Sequence, residues 1–120
     1  MGYEFTAERA PTYLHVTGSG EHTADNLRRF MRDAYRAAIE HDCDALLMEL
    51  NFTGRSLDLV SIYSVITERS AEGSRIKHIA CVNRNAEHSD ERADFAELAA
   101  NRLGVNVRFF RSLEDARRYL

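Results

Sequence analysis

Five histidines and two cysteines are the residues of this 120-residue chain with the widest chemical range, and their spacing limits what they can do. His15, His22, His41, His78 and His88 form no H-x-x-x-H or H-E-x-x-H pattern, so no metal site is expected from the sequence. His88 and Glu91 share a helix start and form a candidate acid–base pair, with solvation or capping as the simpler role. Cys81 sits in a short apolar run with His78 and Ala80. It reads as a small core residue, because a nucleophilic thiolate needs accessible, electropositive surroundings. Glu49 completes the candidate set for catalysis, and one sequence cannot bring these groups together. Gly18-Ser19-Gly20 imitates the start of a dinucleotide fingerprint, but Thr23 stands where the third glycine belongs. A tight turn is the reading, and no cofactor is expected. The segment Thr53-Gly54-Arg55-Ser56 places a guanidinium and several amides at a helix start. That is a candidate anion site for a phosphate, a nucleotide or a phosphorylated partner, against the alternative of a solvated turn.

These residues are positioned by elements the periodicity makes legible. Tyr3 to Glu8 and Tyr13 to Thr17 alternate as an antiparallel hairpin around Pro11. From Thr23 the period lengthens. Leu27, Phe30, Met31, Ala34 and Ala38 fall on one helical face, with Thr23 or Asp25 as the cap and the helix ending near His41. Asp44 to Leu50 is continuously apolar and suits an interior strand. A second helix is expected from about Ser56 to Gly73, with Ser56 as its N-cap and Leu59, Ile62, Tyr63 and Ile66 as its buried stripe. That assignment leaves Leu57, Asp58, Val60, Ser61, Ser64 and Val65 on or beside the outer side, a candidate partner surface. His78 to Val82 is a further buried strand. Ser89 or Asp90 caps the next helix, in which Phe95, Leu98, Ala99 and Arg102 follow at helical spacing, and Gly104 ends it. Val105 to Phe110 is the last strand. Ser112 and Asp115 form a capping box for a closing helix buried by Leu113, Ala116 and Leu120. The order β-β-α-β-α-β-α-β-α, with right-handed crossovers, predicts an α/β sandwich on a mixed sheet: an N-terminal hairpin, otherwise mostly parallel strands, and helices packed on the sheet. Contacts with ligands or partners are then expected beyond the strand carboxyl ends, at residues 51–56, 83–88 and 111–112.

Composition sets the remaining bounds. A 44% hydrophobic content over this length suits one compact domain. The net charge of −3 gives no clustered basic surface for nucleic acid. On the first helix the charges are interleaved, with Asp25 and Arg29, Arg29 and Asp33, and Arg36 and Glu40 at i,i+4 spacing, as on a solvated face. Apolar runs are too short to span a bilayer, and the N-terminal MGYEFTAERA has no signal core. A cytoplasmic protein is expected, with Cys43 and Cys81 as packed thiols.

The patterned strand Ala45 to Leu50, the Ile79 to Val82 strand, Phe95 with Ala96, and the closing VRFF-x-S-x-E-x-A-x-x-x-L segment, with Ala116 and Leu120, together resemble the STAS domains. Within them the anti-sigma-factor-antagonist-like branch is the nearer likeness, over nearly the whole chain. The resemblance implies a non-catalytic bacterial regulatory module that binds a protein partner in a switching or signalling pathway. It also implies a serine phosphoacceptor at the start of the second helix, usually in an Asp-Ser-x-Gly context. Here the local sequence is Gly54-Arg55-Ser56-Leu57-Asp58, so Ser56 is the nearest hydroxyl and Asp58 stands at the acceptor's position. The related CRAL-TRIO carriers, with a similar layer order, imply the alternative of a small apolar ligand or lipid held beneath the second helix. Self-association through the edge of the hairpin is a further expectation.

Overall fold

The computed structural model describes residues 2–85 and 89–120. Strands β1 (Glu4–Arg9) and β2 (Leu14–Glu21) precede α1 (Ala24–Glu40), β3 (Ala45–Thr53), α2 (Leu59–Glu68) and the single turn α3 (Ser70–Gly73). Then come β4 (His78–Asn83), α4 (Asp90–Arg102), β5 (Val107–Phe110) and α5 (Leu113–Tyr119). The five strands lie side by side in chain order. β1 and β2 are antiparallel, and every later neighbour is parallel. This is the α/β architecture and mixed sheet the sequence pattern predicts.

Chain order in the sheet has a direct consequence. Each parallel crossover advances in the same direction, so right-handed connections place α1, α2 and α4 on one face. Leu14, Val16, Leu46, Met48, Leu50, Phe52, Ile79 and Cys81 point into that layer and meet Phe30, Ala34, Ile66 and Ala96. Among the described helices, α5 covers the other face. Ala116 packs there on Leu47, Ala80 and Val82, with Tyr13, Phe110 and Tyr119 around them. Alternation along β3 therefore sends adjacent residues to opposite layers.

Several local expectations need correction. β2 does not turn at Gly18-Ser19-Gly20 but continues through it to Glu21, paired residue for residue with β3. The glycine at 18 makes room for an aromatic ring: a Cβ there would lie 2.5 Å from Phe30 Cδ1. Next, α2 begins after Asp58 rather than at Ser56, because the Asp58 carboxylate accepts the Ser61 amide at 3.0 Å and supplies the cap. Its buried residues are Val65 and Ile66, with Ile62 half-buried, while Tyr63 and Val60 are 48% and 77% exposed. The buried stripe is rolled by roughly 60° from the one expected. The helix also stops at Glu68 and restarts as α3, rather than running to Gly73. Finally, α4 buries Ala93, Ala96, Ala99 and Ala100 and leaves Leu98 54% exposed, because small residues let it lie close to the sheet. On α1, Asp25 pairs with Arg28 at i,i+3 rather than with Arg29.

Caps at Thr23, Ser89 and Ser112 form as expected, each accepting the amide three residues on.

Candidate functional site

Beneath α2, at the carboxyl ends of the parallel strands, the helical layer is incompletely filled. A cavity of ≈ 110 Å³ remains there. Met48, Leu50 and Cys81 of β3 and β4 line its floor. Leu27 and Met31 of α1 form one wall, Leu57, Ile62 and Ile66 another, and Ala93, Ala96 and Ala100 of α4 the third. The alanines explain the space. They bring the α4 backbone near the sheet but present no side chain long enough to meet Met31 and Ile62.

Polar groups gather at one end. His22 follows β2, Ser56 follows β3, Asn83 ends β4 and Arg92 lies in the first turn of α4. All four are half-buried, so they form a polar mouth on an apolar cavity. Their frame is a set of backbone bonds around the 53–58 loop. His22 donates its amide to the Thr53 carbonyl at 2.7 Å, and Thr53 Oγ1 donates to the Gly20 carbonyl at 3.4 Å. Gly54 takes φ +113°, a left-handed backbone that suits glycine. Asn85, buried, donates from Nδ2 to the carbonyls of Phe52 at 3.1 Å and Gly54 at 2.9 Å. Its amide thereby latches the loop to the end of β4. His22 Nδ1 lies 3.0 Å from the Arg55 carbonyl, and its ring stacks on Phe52. Arg92 Nε donates to the Leu57 carbonyl at 2.8 Å.

The residues singled out from the sequence therefore separate. Thr53 and Gly54 shape the loop, Arg55 is exposed, and Ser56 lies on the cavity wall two residues before the helix cap. Ser56 is not the N-cap. Asp58 holds that place, and hydrogen bonds from Ser61, reinforced by the Arg92 charge, keep its carboxyl below the usual range. Of the candidate partner surface, Leu57 is half-buried against the core and Val65 is buried. Ser61 is half-buried, Val60 and Ser64 remain outside, and Ser64 Oγ accepts from Arg28 at 3.4 Å.

Among the described residues, the catalytic candidates Cys81 and Glu49 lie on opposite faces of the sheet. Cys81 is buried on the helix side of the sheet, where burial pushes its thiol well up and keeps it protonated. Glu49 points to the opposite face. There its carboxylate meets His15 Nε2 at 2.9 Å and Arg84 Nε at 3.4 Å. His88 lies outside the described residues. Among the described residues no group of three or more His, Cys, Asp or Glu could hold a metal ion. Nor, among them, is any helix long and apolar enough to cross a membrane.

Asn85 and Arg92 are the site residues the sequence reading missed. Arg92 carried a usable signal, because it precedes Ala96 and Ala100 at i,i+4 and i,i+8 and so shares the inward face of α4. Asn85 carried none, since its role depends on two carbonyls more than thirty residues earlier in the chain. A scan of the chain against protein-family models finds no match, and neither does a comparison with curated proteins.

Proposed function

We propose that this protein is a non-catalytic binding module of STAS-like architecture that takes a small apolar molecule into the cavity beneath α2. The observation that carries this reading is the cavity itself: an apolar space of ≈ 110 Å³ at the carboxyl end of a parallel sheet, where such folds bind ligands. A packed interior of this size would ordinarily be filled, and an unfilled apolar space costs stability unless something occupies it. The separation of Cys81 from Glu49 supports binding rather than reaction. The test is titration with octanol, a neutral apolar probe, followed by calorimetry. Saturable one-to-one binding is the expected result. Ala96→Leu, which fills the cavity from α4, should weaken binding about tenfold, or 1.4 kcal/mol, while the far-UV circular dichroism stays unchanged. Failure of the native protein to bind octanol overturns the reading.

A second reading is regulation through a protein partner, favoured by the adjoining exposure of Leu59, Val60 and Tyr63 on α2. Its test is Val60→Glu, which should abolish capture of the partner without altering the fold.

A further inference from the structure

Among the described residues that line the cavity, Arg92 is the one that carries a permanent positive charge. We propose that it selects ligands with an anionic head, so that the occupant is a small amphipath whose apolar tail enters the cavity and whose carboxylate rests at the mouth. This rests on the ligand-binding reading above and adds to it the chemical class of the ligand.

The geometry supports such a role. Arg92 is fixed rather than waving in solvent, because Nε donates to the Leu57 carbonyl at 2.8 Å and Nη1 reaches Ser89 Oγ at 3.5 Å. Those bonds use two of the five N–H donors of a guanidinium. Among the described residues no carboxylate forms an ion pair with it, in contrast to Arg28, Arg84 and Arg111, which pair with Glu68, Glu49 and Asp90. Asp58 is the nearby acid whose charge Arg92 influences, but its carboxylate is engaged by the Ser61 amide. A guanidinium left with donors and a fixed plane matches a carboxylate better than a neutral hydroxyl. His22 and Ser56 stand at the same mouth.

The experiment compares two probes with one tail, octanoate and octanol, on the native protein, Arg92→Gln and Arg92→Lys. Octanoate should bind the native protein about tenfold more tightly than octanol. Arg92→Gln should remove that preference, the ratio of octanoate to octanol affinity falling to about one, and saturable octanol binding by the variant shows that the cavity survives the substitution. Arg92→Lys should keep part of it, because the charge remains and the planar fork is lost. Equal binding of the two probes by the native protein overturns the role of Arg92 and leaves the cavity reading standing. A preference that persists in Arg92→Gln does the same. Binding of neither probe overturns both.

Discussion

Cys81 and Tyr35 lie in the same buried layer, and in each burial opposes ionisation and raises the pKa well above its ordinary value. In the unfolded chain a thiol titrates near ~8.5 and a phenol near ~10. Above those values the unfolded state has lost protons that the folded state still holds, so stability must fall as pH rises. Below ~8.5 both groups are neutral in both states, and the contribution is fully present. The expected outcome is a decline in the free energy of unfolding, read from urea denaturation, that starts near pH ~8.5 and steepens past ~10, with a slope approaching about 1.4 kcal/mol per pH unit for each group. Cys81→Ala should remove the earlier part of the decline. A stability that stays level to pH ~10 would contradict the buried, protonated state of Cys81.

At the scale of the element, α2 separates packing from exposure within three residues. Leu57 lies just before the helix, packs against the core and lines the cavity, whereas Val60 is 77% exposed. Placing a carboxylate at 57 sets charge against apolar neighbours. Leu57→Glu is expected to cost about 2–4 kcal/mol, while Val60→Glu should stay within about 0.5 kcal/mol. Thermal unfolding of both variants checks the difference, and equal losses would mean that the phase of α2 is wrong. The sequence predicted that phase poorly for a physical reason. Between Leu57 and Ile66 apolar residues occur on every side, so periodicity alone selects no stripe, and the cap at Asp58 decides where the helix starts. By contrast, α1 has a single apolar face and a threonine cap, and its bounds and the core residues Leu27, Phe30, Ala34 and Ala38 were legible, whereas the buried Asn26 and Tyr35 were not. In α4 the large residues Phe95 and Leu98 attracted the reading, but the separation between helix and sheet admits alanine on the inner side. That separation is a tertiary quantity that local pattern does not carry. The same holds for Gly18, whose spacing looks like a turn and whose reason is a ring from α1.

At the scale of the whole molecule, the sheet divides two tasks between its faces, and adjacent residues of β4 sample both. Ala80 is fully buried against the α5 layer, whereas Cys81 faces the cavity between the sheet and α1, α2 and α4. Enlarging the first has no space to use. Ala80→Leu should overpack Ala116 and Leu47 and cost about 1–3 kcal/mol, yet leave octanol affinity within about twofold of native, because the cavity lies across the sheet. Enlarging the second fills a space that already exists. Cys81→Leu should therefore be tolerated within about 1.5 kcal/mol, while octanol affinity falls about tenfold as the added methyl groups take the place of the tail. Stability and affinity thus move independently in two variants one residue apart. Denaturant unfolding and calorimetry on the same preparations measure both quantities. Should Ala80→Leu weaken octanol binding as much as Cys81→Leu does, the two layers are coupled through the sheet, and the cavity is not the separate compartment that the packing of α1, α2 and α4 describes.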